Sequence, residues 1–111
     1  MNCQVTEKND VVVIALSGKI MGGPEAGEIN ELINNLIDRN KKKIIIDLEN
    51  VGWMNSSGLG ILIGAITTLK NNNGKLIVVN VSERIENLLR ITKLSGVFEI
   101  EQDVDSAIAH F

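Results

Sequence analysis

The segment Ile44-Ile45-Ile46-Asp47-Leu48 constrains this chain more than any other. It is short, β-branched and apolar almost throughout, so it reads as a central strand covered on both faces. The stretches beside it follow a different period. Upstream, Ala26, Ile29, Leu32, Ile33, Leu36 and Ile37 recur at intervals of three and four with polar residues between them. That is one apolar stripe on a helix of about four turns. Pro24 suits its first position, where a missing N–H costs nothing. Downstream, Leu59, Leu62, Ile63, Ile66 and Leu69 mark the buried side of a second helix, and Asn71-Asn72-Asn73-Gly74 stops it. A strand buried on both faces between two one-sided helices implies a layered α/β arrangement.

The rest of the chain repeats this alternation. Val11-Val12-Val13-Ile14-Ala15-Leu16 reads as a buried strand ending at Ser17-Gly18. Cys3 to Glu7 alternates weakly and joins it through Lys8-Asn9-Asp10, a hairpin turn. Leu76-Ile77-Val78-Val79 is a further buried strand. Ser82 then caps a helix with Glu83 and Glu86 in its first turn and Ile85, Leu88 and Leu89 on its stripe. Val97 to Ile100 reads as a last edge strand, and Asp103 caps a terminal helix holding Val104, Ala107 and Ile108. The order is strand, strand, then three helix–strand pairs and a final helix. Such alternation requires crossovers, hence a mixed, largely parallel sheet with about four helices packed against it. With 111 residues, no internal repeat and no linker, residues 1–111 form a single domain.

Chemistry is scarce along this chain. The one histidine, His110, is a residue from the end, which argues against a triad or a histidine acid–base pair. No His, Cys and carboxylate cluster has metal-ligand spacing. Cys3 has no activating base nearby, and a lone cysteine makes no internal disulfide, so nothing points to an oxidising compartment. Gly58, Gly60 and Gly64 have the wrong spacing for a dinucleotide fingerprint, and no phosphate-loop Lys follows. Each glycine costs a helix about 1 kcal/mol relative to Ala. Their clustering suggests close backbone approach or a flat face for a partner.

A formal net charge of -3 gives no pull toward nucleic acid or anionic membrane, and Lys41-Lys42-Lys43 reads as a solvated strand entrance. No apolar run approaches the roughly 18 residues of a membrane span, and the first residues lack a signal core. The expectation is a cytoplasmic protein without cofactor, metal or direct nucleic-acid contact.

The remaining feature is Trp53-Met54-Asn55-Ser56-Ser57-Gly58. Its simple reading is a helix cap by Asn55 or Ser56. Capping accounts for one polar residue there, but not for two hydroxyls following the chain's single Trp after a central strand. On residue types alone, capping still ranks ahead of regulation.

Leu48-Glu49-Asn50-Val51-Gly52-Trp53-Met54-Asn55-Ser56-Ser57-Gly58-Leu59-Gly60-Ile61-Leu62, preceded by Asp47, resembles the signature of the STAS domain family, the anti-sigma-factor antagonists. Leu16-Ser17-Gly18-Lys19-Ile20 resembles the family's Gly-Glu-Leu segment. Gly74-Lys75-Leu76 and Ile91 to Phe98 also fall where the family has similar segments. Two positions depart from its pattern. Asn55 stands where Asp is frequent, and Met21-Gly22-Gly23-Pro24 stands where an acidic residue is frequent.

The resemblance implies a non-enzymatic partner-switching cycle. An unmodified antagonist binds a histidine-kinase-like serine kinase that doubles as an anti-sigma factor. The kinase phosphorylates Ser56 and binding weakens; a metal-dependent serine phosphatase restores the active form. In that register Asn55, Ser56, Ser57, Gly58, Leu59 and Gly60 are the expected partner-binding residues. The alternative is an unphosphorylated STAS module in another signalling or transport assembly. A serine hydrolase at the same turn lacks a base.

Overall fold

The computed structural model describes residues 2–111. The elements in chain order are β1 (Asn2–Lys8), β2 (Val11–Ile20), α1 (Pro24–Asp38), β3 (Lys43–Met54), α2 (Ser56–Asn71), β4 (Lys75–Val79), α3 (Glu83–Ile91), a 3₁₀ turn (Ser95–Val97), β5 (Glu99–Glu101) and α4 (Val104–Ile108). The five strands lie in the sheet in chain order. β1 and β2 are antiparallel, and every later neighbour is parallel. The hairpin turns on Asn9 and Asp10, both at positive φ, as a two-residue turn matching strand twist requires.

Three crossovers advance across the sheet in one direction. With crossover handedness fixed, they must place α1, α2 and α3 on one face. That face holds the main core, where Val12, Ile14, Leu16, Ile44, Ile46 and Leu48 meet Ile29, Ile33, Leu36, Leu59, Leu62 and Leu69. The alternate residues Val11, Val13, Ile45, Ile77 and Val79 point the other way and are covered by Ala107 and its neighbours in α4. The central strand is therefore buried on both faces, as its composition implies.

Three boundaries differ from the sequence reading. β2 runs on to Ile20, and β3 runs from Lys43 to Met54, well past Leu48. The register slips between Ala15 and Ser17 and again between Gly18 and Lys19. These irregularities break the alternation by which a strand is recognised. The last strand is Glu99–Glu101, because Ser95–Val97 winds into a 3₁₀ turn. On α2, Ile61 is buried and Ile63 is only half-buried.

Candidate functional site

The site forms where β2 and β3 end together. Ile20 is paired with Met54, the last residue of β3. The next residue, Asn55, is extended (φ -102°, ψ -179°), and its N–H donates to the Ile20 carbonyl at 3.3 Å. Its side-chain oxygen accepts from the Gly58 N–H at 2.7 Å, and its carbonyl accepts from the Leu59 N–H at 2.9 Å. Asn55 is thus the cap, which resolves the choice between it and Ser56. Ser56 and Ser57 become the first two helical residues, and both are exposed.

This geometry leaves the N–H groups of Ser56 and Ser57 without an intrahelical partner, at the positive end of a helix whose first turn has no acidic residue. Neither hydroxyl has a hydrogen-bond partner among the described residues. An anion on either would meet unclaimed donors and a favourable dipole.

The six expected contact residues divide between surface and scaffold. Ser56, Ser57 and Gly60 are exposed, and Asn55 is half-buried by its capping role. Leu59 is 1% exposed and packs in the main core, so it offers a partner nothing. Gly58 is also buried: a Cβ there would overlap the Ile20 carbonyl oxygen. Both must be removed from the contact set, since they hold the turn against the sheet. The other two glycines play a different part. Gly60 and Gly64 have open space where a side chain would project, and with Ala26 and Gly27 they line a hollow of about 320 Å³ between α1 and α2. Close approach accounts only for Gly58.

The loop between β2 and α1 walls the turn on one side. Gly22 (φ +95°) lies so near that a Cβ on it would come 2.8 Å from the Ser57 Cβ. Met21, just before it, is 49% exposed. Beyond it lies a second hollow of about 550 Å³, lined by Gly18, Lys19, Met21, Gly52, Trp53 and Arg84. Sequence reasoning missed this hollow. It depends on the slipped register that sets Lys19 opposite Trp53 and on α3 bringing in Arg84.

Elsewhere the chemistry stays sparse. No group of three or more His, Cys, Asp or Glu among the described residues could hold a metal ion. Burial raises the Cys3 thiol pKa, with Glu28 and Glu25 adding to the effect, so the thiolate is disfavoured. His110 sits 3.2 Å from Glu101 on the surface. No helix among the described residues is long and apolar enough to cross a membrane.

The STAS domain family profile matches residues 2–107. The anti-sigma-B factor antagonist of Staphylococcus aureus (strain NCTC 8325 / PS 47) is 31% identical over 78 residues, covering 70% of this chain and 72% of that protein. An anti-sigma factor antagonist from Mycobacterium paratuberculosis superposes with a TM-score of 0.82 at 23% identity, over 98% of this chain and 92% of that one. The phosphorylated form of the Bacillus cell fate determinant SpoIIAA superposes at 0.72 and 23% identity, over 98% of each chain. This chain belongs to the STAS domain family. Its curated relatives there are anti-sigma factor antagonists.

Proposed function

We propose that this chain is an anti-sigma factor antagonist that acts as a phosphorylation switch. In its unmodified form it docks a histidine-kinase-like anti-sigma factor through the Asn55–Ser57 turn, Gly60 and the exposed side of α2. Transfer of a phosphoryl group to the Ser56 hydroxyl ends the complex, and a metal-dependent serine phosphatase resets it. The chain itself is a binding protein, not a catalyst, and works in the cytoplasm.

One observation carries this reading: an exposed Ser56 hydroxyl at the first position of α2, beside two unclaimed N–H groups. Phosphorylation adds about 1.5 to 2 negative charges and three acceptor oxygens there. The domain tolerates them, because the helix start supplies donors and dipole. A partner packed on the same turn must desolvate the charge, at a cost of several kcal/mol unless it brings a matching cation.

The test is intact-mass analysis after incubation with ATP and the kinase-type anti-sigma factor of the same organism. One phosphate is expected on the native chain, none on Ser56→Ala, and an undiminished yield on Ser57→Ala. Equal labelling of native protein and Ser56→Ala would overturn the site assignment.

A further inference from the structure

The hollow beside the switch has an unusual wall. Its floor is apolar, made by Trp53, Met21 and the glycines Gly18 and Gly52, and its polar groups are the cations Lys19 and Arg84. Neither cation makes an ion pair or hydrogen bond with any described residue. Four lysine–carboxylate pairs form elsewhere among the described residues, so the bareness of these two is local. Of the nearest carboxylates, Glu25 accepts from the Met21 N–H at 3.3 Å, and Glu83 lines only the adjoining hollow.

That adjoining hollow shares Arg84, carries Glu83 and Asn87 on its wall, and reaches Leu88 and Ile91, the latter 79% exposed. The hollow beside the switch, an apolar trough with two unpaired cations on a chain of net charge -3, suits a partner surface of opposite character. Ser56 lies three residues past Trp53 and two past Met54, so its Cα is at most about 11 Å and 8 Å from theirs. The screening length is about 8 Å at physiological salt and lengthens as salt is lowered, so a phosphate on Ser56 acts on the trough most strongly at low salt.

We propose, resting on the switch reading above, that the Lys19–Trp53–Arg84 trough receives an apolar side chain flanked by carboxylates on the protein partner, and that phosphate on Ser56 competes with those carboxylates for the two cations. The switch then acts through charge as well as through burial of the turn. Before modification, Lys19 and Arg84 steer an acidic partner inward. After modification, the phosphate cancels their field and repels the incoming carboxylates. Met21 and Asn55 fit this picture, because an acidic residue at either position would weaken the same field.

Trp53, the single tryptophan, lies in the trough and reports its charge directly. The experiment compares quenching of its fluorescence by iodide and by caesium at constant ionic strength. It uses the native chain, the Ser56-phosphorylated chain and the double variant Lys19→Glu/Arg84→Glu. Relative to free N-acetyltryptophanamide, iodide quenching should be favoured over caesium quenching in the native chain and disfavoured in the other two. In parallel, the double variant should bind the kinase-type anti-sigma factor about tenfold or more weakly at low salt, with a flattened salt dependence. Lys19→Ala/Arg84→Ala, which adds no new charge, should show an intermediate loss, and unchanged melting temperatures verify the fold. The proposal is overturned if the iodide-to-caesium quenching ratio of the native chain is no higher than that of free N-acetyltryptophanamide. It is equally overturned if charge reversal leaves affinity unchanged while Ser56→Asp reduces it. A Ser56→Asp chain that binds as tightly as the native one overturns the switch reading instead, and the quenching comparison still decides the charge of the trough.

Discussion

The carbonyl oxygen of Ile20 fills the space that a side chain at Gly58 would need. The end of β2 and the first turn of α2 are therefore in backbone contact, which fixes the direction in which the Ser56 and Ser57 hydroxyls face. Alanine at position 58 must push the helix off the sheet, an overpacking cost of about 1–3 kcal/mol or more. Gly60 and Gly64 lie on the same helix with open space before them. Alanine at either should stabilise the protein by about 0.5–1 kcal/mol through helix propensity and reduced unfolded-state entropy. Urea midpoints should thus move in opposite directions for Gly58→Ala and Gly64→Ala, with unchanged slopes.

Removing the Asn55 cap should cost about 1 kcal/mol in Asn55→Ala, since the Gly58 N–H then loses its acceptor. Asn55→Asp keeps that acceptor and adds a charge favoured by the helix dipole, so it should gain about 0.3–1 kcal/mol. Chemical denaturation at neutral pH and low salt checks both, and the gain should shrink as salt is raised.

Stability and binding should part company at Ser56. Ser56→Ala, at an exposed position, should change stability by no more than about 0.5 kcal/mol. Ser56→Asp should be neutral or stabilising by up to about 1 kcal/mol for the same dipole reason. Calorimetric melting of the three proteins checks this. A large loss of melting temperature in Ser56→Asp would mean that the switch works by unfolding the turn rather than by excluding the partner.

The small helix α4 responds to acid through its cap. The Asp103 carboxylate accepts from the Ser106 N–H at 2.8 Å, and this bond holds its pKa below the ordinary carboxylate value. A folded pKa lower than the unfolded one means the contribution is complete above the unfolded pKa of about 4 and fades as pH falls through the folded value. The protection factors of the α4 amides, with intrinsic exchange at each pH divided out, should therefore fall below about pH 4 in the native chain. Asp103→Asn, an uncharged cap, should show less of that acid dependence.

Much of this fold was legible, because its core elements obey simple periods. The run at Ile44–Leu48, the stripe of α3, that of α1 apart from the exposed Ala26, and the caps Ser82 and Asp103 appear where residue chemistry places them. The late parts of β2 and β3 were not legible, since register slips at Ala15/Ser17 and Gly18/Lys19 interrupt the alternation over Ser17–Ile20 and Glu49–Met54. At the site, the exposed serines after a cap were readable from local chemistry. The burial of Leu59 follows from the apolar stripe of α2, but that of Gly58 was not legible, because it depends on Ile20, a residue far away in the chain. The trough needs three segments to meet, at Lys19, Trp53 and Arg84, and no local pattern encodes that meeting.

The most direct measurement is the affinity of the kinase-type anti-sigma factor for this chain before and after stoichiometric phosphorylation of Ser56, by calorimetry in one buffer. The account predicts a tight one-to-one complex for the unmodified protein and for Ser56→Ala. It predicts a loss of several kcal/mol, at least about a hundredfold in Kd, for the phosphorylated form. Equal affinity of the modified and unmodified chains, both fully folded, would contradict it.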